Sequence, residues 1–203
     1  MIVAGADVSL TGLALAFIDT KSRRIRWSLH SSASIPRVPS PGGGRKGRSK
    51  DRGVTPVWLR ARRIDTLAQQ ALLNMPRDLH AAAIEAPSYM SKSVSTHERS
   101  GVWWQIGIAL EQRAHGNLVE ISPRQRAQYA TGDGGADKES VVAHSLAQYP
   151  QLDSRDDNVV DAVVLAAMVA RHLGEPIEEF DPAPGNLEAL RFVLWPDHLK
   201  GTP

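Results

Sequence analysis

A chain of 203 residues, 42% of them hydrophobic and with a formal net charge of +2, has the size and composition of one ordinary globular domain. It contains no cysteine, which excludes a disulfide scaffold, Cys-ligated zinc, iron–sulfur clusters and thiol catalysis. No apolar run approaches the roughly 20 residues of a membrane span, and no charged-then-apolar leader opens the chain, so a cytoplasmic setting and no membrane partner are expected.

Ile2–Asp7 is a short apolar run that closes on an acid, and Leu13–Asp19 is a second, joined to it by the turn signal Ser9-Leu10-Thr11-Gly12. Arg24–His30 alternates, with Ile25, Trp27 and Leu29 on one face and Arg24, Arg26, Ser28 and His30 on the other. That pattern predicts a half-buried strand with a basic outer face, and the three runs together predict an antiparallel meander. Pro36 to Pro56 holds four prolines and five glycines; it cannot bury a core and is expected to be a mobile loop. Within it, residues 42–49 approach a phosphate-binding P-loop, but Arg48 stands where lysine is required and no apolar strand leads in. An NTPase site is therefore rejected.

Val57, Ala61, Ile64, Ala68, Ala71 and Met75 recur every three or four residues and predict an amphipathic helix over Val57–Met75. Ala81–Ala86 reads as a brief buried strand that carries Glu85 and is stopped by Pro87. Val102–Ala114 reads as a helix closed by Gly116, Leu118–Ile121 as a strand and Lys138–Gln148 as a helix. Asp157–Leu173 is a longer apolar helix ended by Gly174. The order β-β-β-α-β-α-β-α-α predicts an α/β fold, a mixed five-stranded sheet flanked by helices. Residues 174–203 are expected to be a Pro-rich C-terminal extension with a short helix around Leu187–Trp195.

The near-neutral total conceals segregation. From Lys21 to Arg63 there are 13 basic residues and one acid, Asp51, giving +12, whereas residues 1–20 carry −2 and residues 64–203 carry −8. Arg45, Lys46, Arg48, Lys50 and Arg52 crowd the Pro/Gly-rich loop. Such a block suggests a surface for a polyanion, although a charge run is also what a solvated loop looks like.

Three acids sit where their surroundings disfavour them. Asp7 and Glu85 end apolar strands, and Asp161 lies in Val159-Val160-Asp161-Ala162-Val163, inside the most hydrophobic helix. A carboxylate in such a place is paired, protonated or coordinated to a cation. Asp157 stands four residues before Asp161, on the same helical face. Taken singly, each acid also reads as a cap, a strand-end surface group or a salt-bridge partner, and Asp157 as a group favoured by its helix dipole. Taken together, four acids in one pocket would repel unless hard, oxygen-preferring cations such as Mg²⁺ or Mn²⁺ neutralised them.

At these residues the sequence resembles the RuvC-like Holliday junction resolvases of the RNase H-like superfamily, in their bacteriophage-encoded style. The resemblance rests on Gly5-Ala6-Asp7-Val8-Ser9-Leu10-Thr11-Gly12, Ile84-Glu85, Gly132-Asp133-Gly134-Gly135-Ala136-Asp137-Lys138 and Asp157-Asn158-Val159-Val160-Asp161-Ala162, in order, and spans about residues 1–173. It implies the RNase H-like fold and a homodimeric endonuclease that cuts branched DNA with paired nicks, using two Mg²⁺ or Mn²⁺ ions. If the source is a phage, its setting would be the host cytoplasm. Asp7, Glu85 and Asp161 match metal-holding acids of the pattern. The remaining ligand should stand three residues before the last acid, where this chain has Asn158, so either its carbonyl coordinates or Asp157 substitutes; charge favours Asp157. Lys138 matches a lysine near the scissile phosphate, Tyr89 stands one position off a base-stacking aromatic, and Arg124 and Arg126 are placed to contact neighbouring phosphates. Two other readings compete. Asp7-Val8-Ser9-Leu10-Thr11 also resembles the first phosphate loop of actin-like phosphotransferases, which need two such domains and a longer chain. A DNA-binding protein with a weakened metal site is the non-enzyme alternative, kept open by Asn158.

Overall fold

Alternation along the strands divides a five-stranded sheet into two apolar faces. The computed structural model describes residues 1–32, 55–87 and 96–199. The strands are β1 (Ile2–Asp7), β2 (Leu13–Asp19), β3 (Arg24–His30), β4 (Ala81–Glu85) and β5 (Leu118–Ile121), arranged β3-β2-β1-β4-β5. The β1–β2 and β2–β3 pairs are antiparallel, as the expected meander requires, and β1–β4 and β4–β5 are parallel. The sheet is therefore mixed. The helices are α1 (Val57–Asn74), α2 (Thr96–Arg113), α3 (Pro123–Thr131), α4 (Lys138–Gln148), α5 (Asp157–His172) and α6 (Pro184–Arg191), followed by a 3₁₀ turn at Asp197–Leu199. No helix among the described residues is long and apolar enough to cross a membrane.

One face of the sheet, through Ala4, Ala6, Leu15, Phe17, Ala82 and Ile84, packs on α1 and α2. The other, through Val3, Ala14, Ala16, Ala81, Ala83 and Val119, packs on α5, whose residues from Val159 to Ala170 are all buried. Small residues on this second face let α5 come close. At Gly5 a Cβ would lie 2.0 Å from the Ala162 carbonyl oxygen and 2.6 Å from the Ala166 nitrogen, so only glycine fits beneath the helix. Ile177, Ala189, Val193 and Leu199 join the same core from the C-terminal segment.

Several elements differ from the sequence expectation. Val57 and Trp58 are exposed, and only Leu67, Ala68, Ala71 and Met75 of the α1 region are buried, so the buried stripe is confined to the helix's second half. In β3, Trp27 and Leu29 are 38% and 39% exposed, so the expected apolar face of this edge strand is only partly covered by the described residues. The Trp27 indole instead donates to Asp153 Oδ1 at 2.7 Å. Helix α2 begins at Thr96, before the expected Val102, and α6 occupies Pro184–Arg191 rather than Leu187–Trp195. Helix α3 was not expected at all.

Candidate active site

The strand period aims two acids at one place. Asp7 shares its side of the sheet with Val3 and Gly5, and Glu85 shares that side with Ala81 and Ala83. The parallel register Gly5↔Ala83 and Ala6↔Ile84 runs on to set Asp7 beside Glu85 at the carboxyl ends of the two strands. Helix α5 crosses above them and contributes Asp161 from its second turn. Its start is fixed by Asp156, whose Oδ1 accepts from the backbone nitrogens of Asn158 at 3.0 Å and Val159 at 3.3 Å. The Trp103 indole donates to the Glu85 carbonyl at 2.8 Å and holds the end of β4 from the α2 side.

The pocket is buried and short of positive charge. Asp7 and Asp161 are 8% and 5% exposed. Burial raises the Asp7 pKa to about 8, with Glu85 and Asp161 pushing the same way against the pull of Arg126. Burial likewise raises Asp161 to about 7, although Arg126 draws it down. The compensating charge comes from α3. The Arg126 guanidinium donates from Nε to Glu85 Oε1 at 2.9 Å and from Nη1 to Asp161 Oδ1 at 2.5 Å. Burial works against the charge on Arg126, but Asp161 and Glu85 outweigh it and raise its pKa.

Arg126 is thus buried against the acids rather than exposed to a phosphate. Its helix was invisible to hydrophobic periodicity because α3 carries few apolar residues. The available signal was the cap: Ser122 accepts from the Gln125 nitrogen, the Gln125 side chain accepts from the Ser122 nitrogen, Pro123 occupies the first turn, and Gly132 ends the helix at φ 86°.

At the rim, the Lys138 ammonium donates to Asp157 Oδ2. This bond lowers the Asp157 pKa and raises that of Lys138. The Asn158 amide nitrogen donates to Asp156 Oδ1 at 3.2 Å, so the amide group is turned toward the helix cap. Arg124, Arg126 and Lys138 also line an adjoining cavity of about 330 Å³ with Gly134, Gly135 and Ala136. Tyr89, Arg45, Lys46, Arg48, Lys50 and Arg52 lie outside the described residues. Of the remaining basic block, Arg23 donates to the carbonyls of Ile177 and Glu178, and Arg63 to the Ser32 hydroxyl and the Leu10 carbonyl. These two arginines brace the fold.

Two buried carboxylates and the part-buried Glu85 against one guanidinium form an oxygen-donor set with surplus negative charge, which suits a hard divalent cation. Among the described residues, no three carboxylate or imidazole groups already converge as a formed metal centre; the guanidinium stands between Glu85 and Asp161.

No protein-family profile and no curated protein matches the chain. Solved structures do. Thermus thermophilus RuvC in complex with a Holliday junction substrate aligns with a TM-score of 0.60 at 16% identity, covering 90% of this chain and 99% of that one. A second Thermus thermophilus RuvC structure aligns at 0.53 and 18% identity, covering 90% and 100%. The chain therefore has the fold of RuvC, the RNase H-like α/β architecture expected above.

Proposed function

We propose that the protein is a divalent-metal-dependent endonuclease that hydrolyses phosphodiesters in branched DNA, four-way junctions first among its substrates. The clustering of Asp7, Glu85 and Asp161 about a single guanidinium, on a RuvC fold, carries this reading. A structural neighbour bound to a Holliday junction supports the substrate class. In this reading Asp7, Glu85 and Asp161 hold two Mg²⁺ or Mn²⁺ ions, with Asp157, or less favourably the Asn158 carbonyl, as the remaining ligand. Bound there, the metal supplies an activated water and stabilisation of the departing 3′ oxygen.

The chain's own groups do the rest. Lys138 stands next to Asp157 and presents a cation to negative charge that develops on the phosphate. Arg124, on the adjoining cavity, binds a neighbouring phosphate. Arg45, Lys46, Arg48, Lys50 and Arg52 grip the DNA backbone without regard to sequence, and Tyr89 stacks on a base. Paired nicks call for a homodimer, for which the exposed Trp58, Trp104 and Ile108 on α1 and α2 are the candidate contacts.

The test is cleavage of a synthetic four-way junction, a flap, a fork and a linear duplex with Mg²⁺, Mn²⁺ or EDTA. Symmetric junction nicks that require the metal are expected, with linear duplex spared; equal cutting of linear DNA, or cutting in EDTA, would reject the reading. Deleting residues 36–56 should weaken DNA binding and flatten the dependence of log K on log salt, and an unchanged slope would remove the loop from the interface. The guanidinium among the acids favours one alternative, a branched-DNA-binding protein of little catalytic power. Junction binding with no nick in either metal would establish it.

A further inference from the structure

We propose that Arg126 is the resident counter-cation of the acidic pocket and competes with divalent metal for it, so that metal binding requires the guanidinium to leave. The inference rests on the metal-dependent reading above and concerns how that site is controlled. Arg126 spends its Nε on Glu85 and an Nη on Asp161, and the residue is 9% exposed. The guanidinium therefore fills the space between two of the acids that would face a metal, and it uses one oxygen of each. Charge points the same way. Asp7, Glu85, Asp157 and Asp161 balance two divalent ions; a guanidinium left among them would bury a surplus positive charge, which a low-dielectric pocket disfavours strongly.

The displaced side chain has somewhere to go. Arg126 already lines the cavity of about 330 Å³ that it shares with Arg124, Gly134, Gly135 and Lys138. Three cations gathered there would repel one another until an anion joined them, and a DNA phosphate has the required charge and hydrogen-bond acceptors. Metal entering the acids and phosphate entering the cavity thus favour the same rotation of one side chain. Arg126 is a positioning residue in this account, acting through the acids rather than on the reacting atoms.

The test is metal binding without DNA. Mn²⁺ affinity is measured by electron paramagnetic resonance on metal-free wild type and on Arg126→Gln. The variant should bind about tenfold tighter or better, because a unit positive charge has been taken from beside a divalent ion. Wild type supplies a second measurement that needs no variant to fold: the Arg126 Nε–H resonance, protected by Glu85, should move to a solvated position as Mg²⁺ saturates. Equal or weaker Mn²⁺ binding by a folded variant, or an Nε–H signal unchanged at saturating Mg²⁺, overturns the inference and leaves the metal reading standing. No Mn²⁺ binding by either protein overturns the metal reading beneath it.

Discussion

Replacing Gly5 by alanine tests whether the close approach of α5 to β1 holds the site together. The added methyl carbon would lie 2.0 Å from the Ala162 carbonyl oxygen, 2.6 Å from the Ala166 nitrogen and 3.0 Å from the Leu165 Cβ. A carbon seldom approaches a carbonyl oxygen closer than about 3.3 Å, so α5 would have to retreat by roughly 1.3 Å. Both atoms in the way belong to helix backbone, and the helix is buried along its length, so no side chain can yield instead. Overpacking of this kind costs about 3 kcal/mol or more. Urea unfolding in EDTA, followed by tryptophan fluorescence and circular dichroism, measures the loss, with coincidence of the two transitions testing two-state behaviour. The same retreat should weaken Mn²⁺ binding, because Asp161 rides on α5 while Asp7 stays on β1. A loss below about 1 kcal/mol would refute the argument, since overpacking a tight core costs at least that much. Gly107→Ala in α2 is the control of opposite sign. Its Cβ would meet only Ile84 Cδ1 at 3.8 Å, and a helix-interior alanine should add about 0.5–1 kcal/mol.

Asp7→Asn should abolish metal-dependent cleavage yet stabilise the metal-free protein. The folded Asp7 pKa is raised from 3.8 to about 8, so between those values the fold holds a proton that the unfolded chain has released, and stability falls as pH rises. The variant lacks this term, so its advantage over wild type should grow from pH 5 to pH 8, reaching about 1–4 kcal/mol. Comparing the two proteins removes the opposite contribution of His30 and His172, whose lowered pKa values cost stability as pH falls. A constant or shrinking gap in urea midpoints would contradict the burial of an uncompensated Asp7. Asp156→Ala removes the cap of α5 and should cost about 1 kcal/mol in the same assay; no loss would mean that the cap does not fix the start of the helix. Tyr129→Phe deletes a buried hydroxyl donated to Glu178 and should cost about 1–2 kcal/mol, with an unchanged midpoint as the contrary result.

The parts of the site that were legible were those in which chemistry interrupts a simple period. Asp7 and Glu85 stood out as acids closing apolar strands, and Asp161 as an acid inside an apolar helix. Once the strands pair in parallel, the two-residue period turns Asp7 and Glu85 to one side. The pairing itself joins strands far apart in the chain, and local pattern carries no direct record of it. Arg126 was expected to contact a phosphate, because arginine is rarely buried without partners and its partners lie on β4 and α5, far away in the chain. Helix α3 was missed because its start is encoded in Ser122, Pro123 and Gln125 rather than in an apolar stripe. Trp27 and Leu29 misled for the converse reason: alternation marks a strand's two faces, whether or not anything covers them.

Helix α3 is gripped at both ends of one turn. Arg126 reaches the acids, while Tyr129, three residues on, donates to Glu178, which Arg171 also holds at 3.0 Å. Asn186 of α6 adds a bond of 2.8 Å to the Tyr129 carbonyl. The helix thus joins the acidic pocket on one side to the C-terminal segment on the other. If metal and Arg126 compete as proposed, substitutions in that segment should retune how firmly the guanidinium sits among the acids without altering a single acid, a remote dial for ion occupancy.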